Sequence, residues 1–265
     1  MERSGVYVES HGPATTPALV LVHGAPDRST SFRTVLPYLS DRRVVVYDRR
    51  GYGRSLDLPP ARAMVDHAND LLAIVDDCVE GSQAPPIVVA HSFGSNLTML
   101  AATLRPSAFG AIGLWEPPLP WVEWWSATTK AYNATVATST QPADAIEAMY
   151  RSLLGHQAWD RLPPAMQARR RAEGAAFQVD MASELKAPFN FEDVRTAALV
   201  GYGTATSAEH GEGARWLVAH LPNAQLHASP GAGHFASRTH PAEFAAFATA
   251  VVDMAEAHPA LHERG

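Results

Sequence analysis

Ser92 is the residue around which chemistry can be built. It sits in Ile87-Val88-Val89-Ala90-His91-Ser92-Phe93-Gly94-Ser95-Asn96-Leu97, an apolar run that ends in a small-residue turn and passes into a helical stretch. A sharp strand-to-helix turn presents a serine hydroxyl at the carboxyl edge of a sheet. Small residues are needed two before and two after it, because neighbouring backbone passes close by. Those positions hold Ala90 and Gly94. The plainer alternative is a tight turn in which Ser92 only caps the helix.

A serine hydroxyl is a weak nucleophile near neutral pH and needs a base. Among twelve histidines, His234 has the fitting setting: it lies in Ser229-Pro230-Gly231-Ala232-Gly233-His234-Phe235, a flexible loop between a late apolar run and a helix that starts near Pro241. His240 belongs with that helix start, and His91 flanks the serine. Upstream, Leu19-Val20-Leu21-Val22-His23-Gly24-Ala25-Pro26 puts a His-Gly pair directly after another apolar run. An oxyanion needs two preorganised donors, and the candidates are the N–H groups of Ala25 and Phe93. A plain turn at His23-Gly24 is the competing reading.

These residues need a scaffold. Short runs rich in Val, Ile and Leu recur at Ala18–Val22, Val44–Tyr47, Ile87–Val89, Ala111–Trp115, Ala197–Val200 and Gln225–Ala228. Such runs suit strands buried on both faces, with crossover helices at Ala63–Cys78 and Asn96–Leu104, so the pattern predicts an α/β fold with a mostly parallel sheet flanked by helices. Val6–Glu9 reads as an edge strand. After Trp115, Glu116-Pro117-Pro118-Leu119-Pro120 stops the strand, and about eighty residues pass before the next one, too many for a loop. Ala145–Leu154 and Pro164–Phe177 favour helices there. The division is therefore a core of residues 1–116 and 191–265 with a helical cap at 117–190. The tail after His258 has little to bury and is expected to fray.

Composition narrows the function. The 265 residues are 46% hydrophobic and 18% charged, an ordinary globular balance, with a formal charge of −6. Basic residues occur in short groups such as Arg169-Arg170-Arg171 rather than as a stripe, which argues against nucleic acid. One cysteine, Cys78, leaves no internal disulfide and no multi-thiolate site. His-Glu-x-x-His spacing and a Gly-rich phosphate loop are absent, so neither metal nor nucleotide cofactor is expected. With no signal segment and no run of about 18 apolar residues, the chain is expected to be soluble, unprocessed and cytoplasmic. Self-association is left open.

Four motifs in order resemble the α/β-hydrolase family: His23-Gly24 after the family's third strand, Asp48-Arg49-Arg50-Gly51-Tyr52-Gly53-Arg54-Ser55 after the fourth, the Ser92 elbow after the fifth, and Gly231-Ala232-Gly233-His234-Phe235 near the end. Two features depart from it. Ala90 stands where glycine is usual, and Leu199-Val200-Gly201-Tyr202-Gly203-Thr204-Ala205-Thr206-Ser207 carries no carboxylate where the acid commonly follows the seventh strand. A minority of relatives, including some haloalkane dehalogenases, place the acid after the sixth strand, where this chain has Glu116. The resemblance thus implies a triad of Ser92, His234 and Glu116, with Glu209 and Asp193 as fallback acids. Alternatively, Glu116 merely ends a strand or caps a helix. The Asp48–Ser55 loop reads as structural, tightened by Gly51 and Gly53, with Asp48 and Arg49 or Arg54 available to pair.

The expected reaction is hydrolysis of an ester-like bond (carboxylic ester, lactone or thioester) of a small apolar substrate through an acyl-enzyme. Carbon–carbon bond hydrolysis and perhydrolysis use the same triad, and a non-hydrolytic receptor or a cofactor-free oxygenase could use the same fold. The Asp nucleophile of dehalogenases and epoxide hydrolases is missing. Candidate substrate contacts are His23, His91, Trp115, Trp121, Trp124 and Trp125, although such rings also serve simply to pack a cap onto a core.

Overall fold

A computed structural model describes residues 5–14, 17–79 and 84–257. Seven strands form one sheet: β1 (Val8–His11), β2 (Leu19–Val22), β3 (Val44–Tyr47), β4 (Ile87–His91), β5 (Ile112–Trp115), β6 (Ala198–Gly203) and β7 (Ala224–Ser229). Their order is β1-β3-β2-β4-β5-β6-β7, with β1 antiparallel to β3 and every other neighbouring pair parallel. With seven strands, each motif follows a strand one place earlier than in the family's count. The edge strand is displaced from Val6–Glu9, because Val8 registers with Tyr47 and His11 with Val44, while Val6 turns into the core.

Two-residue alternation explains why the strands read as continuous apolar runs. Val20, Val22, Val45, Tyr47, Val88 and Ala90 join one buried cluster, and Leu19, Leu21, Val44, Val46, Ile87 and Val89 join the other. The first is covered by α1 (Met64–Val79) and α2 (Phe93–Leu104).

Between β5 and β6 lie five helices: α3 (Ala127–Ala137), α4 (Pro142–Leu154), α5 (His156–Asp160), α6 (Pro164–Ala172) and α7 (Gly174–Ser183). They carry a hydrophobic cluster of their own, built from Val136, Ile146, Tyr150, Trp159, Phe177 and Met181. The helical stretch expected at Pro164–Phe177 is divided between α6 and α7. The chain turns at Glu173-Gly174, where a Cβ on Gly174 would come within 2.4 Å of the Pro142 carbonyl oxygen.

Then come α8 (Ala208–His220), the single turn α9 (Ala236–Thr239) and α10 (Pro241–Ala257). Leu217 of α8 joins the first cluster, whereas Phe244, Phe247 and Val251 of α10 join the second. The tail expected to fray after His258 lies outside the described residues. Among the described residues, no helix is long and apolar enough to cross a membrane.

Candidate active site

The carboxyl ends of β2, β4 and β5 converge on the site. β4 passes straight into α2 through Ser92, which has φ 55° and ψ −128°. Such a backbone is unfavourable for any residue with a Cβ, so surrounding packing must hold it. The helix begins at Phe93 rather than Asn96, which leaves the Phe93 N–H at a helix N-terminus without an intrahelical acceptor. The turn allows no spare atoms: a Cβ on Gly94 would lie 2.7 Å from the His23 carbonyl oxygen, and one on Gly24 would lie 2.9 Å from the Ser92 Cβ. Ala90 is fully buried, and its carbonyl accepts a hydrogen bond from the Ser95 hydroxyl at 3.0 Å.

Glu116 follows β5, is completely buried and itself has φ 46°. Its Oε1 accepts the Gly203 N–H at 2.9 Å, while Oε2 accepts the Thr206 hydroxyl at 2.8 Å and lies 2.9 Å from the Nδ1 of His234. Burial pushes the carboxyl up, but the hydrogen bond and charge of His234 and the Gly203 N–H pull it below its ordinary value. An ionised Glu116 can only accept, so Nδ1 of His234 carries the proton. The other ring nitrogen, Nε2, is thereby left unprotonated, with a free lone pair. The β6 turn that lacks a carboxylate thus supplies two donors to Glu116. Of the fallback acids, Glu209 lines the cavity from the first turn of α8, and Asp193 accepts from Asn190 at the surface.

A cavity of about 920 Å³ is lined by Ser92, Phe93, Ala25 and His234, and extends beneath the helical insertion. Two more histidines frame the His234 ring. His91 stands with its ring centroid 4.7 Å away and its Nε2 2.8 Å from the His234 carbonyl oxygen, tying the histidine loop to the serine strand. His210 of α8 stands at 4.4 Å on a tilted ring, with the Ser207 hydroxyl 2.9 Å from its Nδ1. Burial and the charge of His234 push His210 down to about 3, so this neighbour stays neutral. The sequence carried no signal for His210; only the fold brings α8 over the His234 loop.

Among the described residues, Glu116, His210 and His234 each offer one potential ligand atom, all within 4.8 Å of one another. Both oxygens of Glu116 are already engaged, so an ion there would have to displace the His234 hydrogen bond.

The expected substrate contacts separate. His91 and Trp125 line the cavity, but His23, Trp115, Trp121 and Trp124 do not. His23 is buried behind the loop, where its Nε2 accepts the Arg49 N–H at 2.9 Å. Trp115 falls on the far face of β5 by strand alternation and packs against Phe244 and Phe247 at 5.5 and 5.2 Å. Trp121 packs onto the first core cluster, and Trp124 is exposed.

The pairing expected of Asp48 is also different. Its oxygens accept backbone N–H groups of Ser29 and Arg54 at 2.7 and 2.8 Å, bracing the loop. Arg49 instead reaches Asp180 of α7 at 2.8 Å, fully buried, with the Tyr52 hydroxyl donating to the same carboxylate at 2.7 Å. This ion pair fastens the insertion to the core beside the cavity.

Residues 19–247 match the sequence pattern described as "Alpha/beta hydrolase family". The chain belongs to the alpha/beta hydrolase family. Among curated relatives, "Putative hydrolase LipZ" of Mycobacterium tuberculosis is 35% identical over 94 residues, 35% of this chain and 31% of LipZ. "Lipase LipV" of the same species is 29% identical over 114 residues, 42% of this chain and 41% of LipV. The alignments thus span less than half the length of either relative. The solved structure of a thermophilic esterase from Thermogutta terrifontis superposes with a TM-score of 0.73 at 20% identity, covering 94% of this chain and 93% of the esterase, a likeness of fold.

Proposed function

We propose that this protein is a serine hydrolase that cleaves an ester-like bond through an acyl-enzyme on Ser92. The observation that carries the reading is the joint placement of Ser92, on its φ 55° elbow, and of His234, its Nδ1 fixed on Glu116, around one cavity. His234 takes the Ser92 proton through Nε2 as the hydroxyl attacks the carbonyl. It then returns that proton to the leaving group, and activates the water that frees the acid. Glu116 holds the tautomer and offsets the imidazolium charge. The N–H groups of Ala25 and Phe93 receive the oxyanion. The hydrolase and lipase names of partial relatives support the class, and Met149, Leu153 and Leu162 in the cavity wall support an apolar chain on the substrate.

Steady-state turnover of short chromogenic esters tests this. Ser92→Ala is expected to abolish it. Glu116→Gln is expected to lower kcat by about a thousandfold or more with the fold intact, and Glu209→Gln by less than about tenfold. Near-normal turnover by Glu116→Gln would remove the acid assignment.

A further inference from the structure

The cavity contains a second polar centre that the triad does not use. Glu184, just past the end of α7, is 3% exposed and lines the cavity together with Asn133, Tyr132 and Trp125. Its Oε2 accepts the Asn133 side-chain N–H at 3.0 Å. At its Oε1 the Asn96 amide stands 3.5 Å away, while that same nitrogen donates to the Pro118 carbonyl at 2.9 Å. No arginine or lysine pairs with Glu184 among the described residues.

On two other residues of the cavity lining, and on the Asn96 amide beside Glu184, hydrogen-bonding capacity is left over. The Tyr132 hydroxyl, the Trp125 Nε1–H and the Asn96 Oδ1 are buried without partners. A wall meant only to hold an alkyl chain has no use for such polar groups.

We propose that Glu184, Tyr132, Asn133 and Trp125 form a subsite for an uncharged hydroxyl group, so that the preferred substrates are esters bearing a hydroxyl on the chain that lies along this wall. The proposal rests on the serine hydrolase reading above and adds the chemistry of its substrate.

The protonation states favour a neutral ligand group over an ammonium. Burial and the nearby Asp180 carboxylate push Glu184 up to about 8, against the pull of Asn133 and Asn96, so near neutral pH it is an O–H donor. Burial likewise pushes the Tyr132 phenol up to about 12. A ligand hydroxyl can accept from one such O–H and donate to the other oxygen, using both of its capacities at once. A site built to hydrogen-bond a substrate hydroxyl discriminates strongly against the analogue lacking it, because its own polar groups are then left buried and unpaired.

Two matched series of p-nitrophenyl and alkyl esters test the proposal, with the hydroxyl placed along the acyl chain in one and along the alcohol chain in the other. Each is compared with its plain counterpart as a ratio of kcat/KM. In parallel, fluorophosphonate labelling of wild type reports whether Ser92 is reactive at all. The expected result is a preference of about tenfold or more for one hydroxylated chain length in wild type. That ratio should fall to about one in Glu184→Leu and by several-fold in Tyr132→Phe, each checked for a native thermal transition. Tyr132→Phe alone decides the matter if Glu184→Leu does not fold.

A ratio near one in wild type, with Ser92 labelled and plain esters turned over, overturns the subsite and leaves the hydrolase reading standing. So does a ratio that both folded variants retain. A preference for ammonium-bearing esters that grows above pH 8 overturns it in favour of an anionic Glu184. Failure of Ser92 to label overturns the hydrolase reading, and the subsite's esters with it.

Discussion

Two glutamates are buried beside the same cavity in opposite protonation states. Glu116 meets a backbone N–H, a hydroxyl and an imidazole, and is held below its ordinary value; Glu184 is pushed up to about 8 by burial and the field of Asp180, against the pull of two amides. Burial pushes both carboxyls up; at Glu116 the imidazole and the backbone N–H outweigh it, whereas at Glu184 the two amides do not. Asp180 makes the same point within one turn of Glu184: fully buried, it stays ionised because Arg49, Tyr52 and His67 all face it.

The largest effect that could break this contrast comes from neutralising each glutamate in turn. Glu116→Gln should cost about 10³- to 10⁴-fold in kcat, whereas Glu184→Gln should act chiefly on KM for hydroxylated esters. Comparable kcat losses in the two would mean that both serve the same chemistry.

Next in size is the Arg49–Asp180 pair. Asp180→Asn leaves Arg49 buried without its counter-charge and should destabilise the fold by about 3–5 kcal/mol in urea titration. In the same variant the Glu184 carboxyl should titrate at lower pH, since one cause of its elevation is gone. An unchanged unfolding midpoint would show that the pair contributes little to holding the insertion on the core.

The pH dependence of stability sharpens the comparison through its sign. Glu184 has a folded pKa raised above its ordinary value of 4.5, so the folded state holds the extra proton. Its contribution is complete below about pH 4.5 and is lost as pH rises toward 8, by at most about 1.4 kcal/mol per pH unit. Glu184→Gln should flatten that limb. Glu116 runs the other way: its folded pKa is lowered, so its contribution is present above the ordinary value and is lost on acidification. Identical slopes between about pH 4.5 and 8 in wild type and Glu184→Gln would contradict the assigned state.

The smallest expected effect is that of His210→Ala. Loss of a ring neighbour 4.4 Å from His234 should lower kcat by about two- to tenfold, corresponding to about 0.5–1.5 kcal/mol for an aromatic pair.

The contrast also shows what a sequence can carry. Short-range patterns led to Ser92, because a strand, a small-residue turn and a helix are contiguous, and to the sheet, because strand runs need only local apolar residues. Glu116 emerged from a departure, the absence of a carboxylate at Gly201–Ser207, read together with a family resemblance. The other half of the cavity was hidden. Glu184 comes from the insertion and Asn96 from α2, and His210 reaches His234 only once α8 has packed on β6 and β7. Trp115 was misplaced for a subtler reason: it opens the tryptophan-rich segment that leads into the cap, but alternation along β5 sends its ring to the opposite face.

Whether Ser92 is an activated nucleophile is decided by intact-mass spectrometry after fluorophosphonate treatment of wild type, Ser92→Ala and His234→Ala. One adduct is expected on wild type, and none on either variant. A folded wild type that takes no adduct, or a Ser92→Ala variant that still takes one, would contradict that role for Ser92.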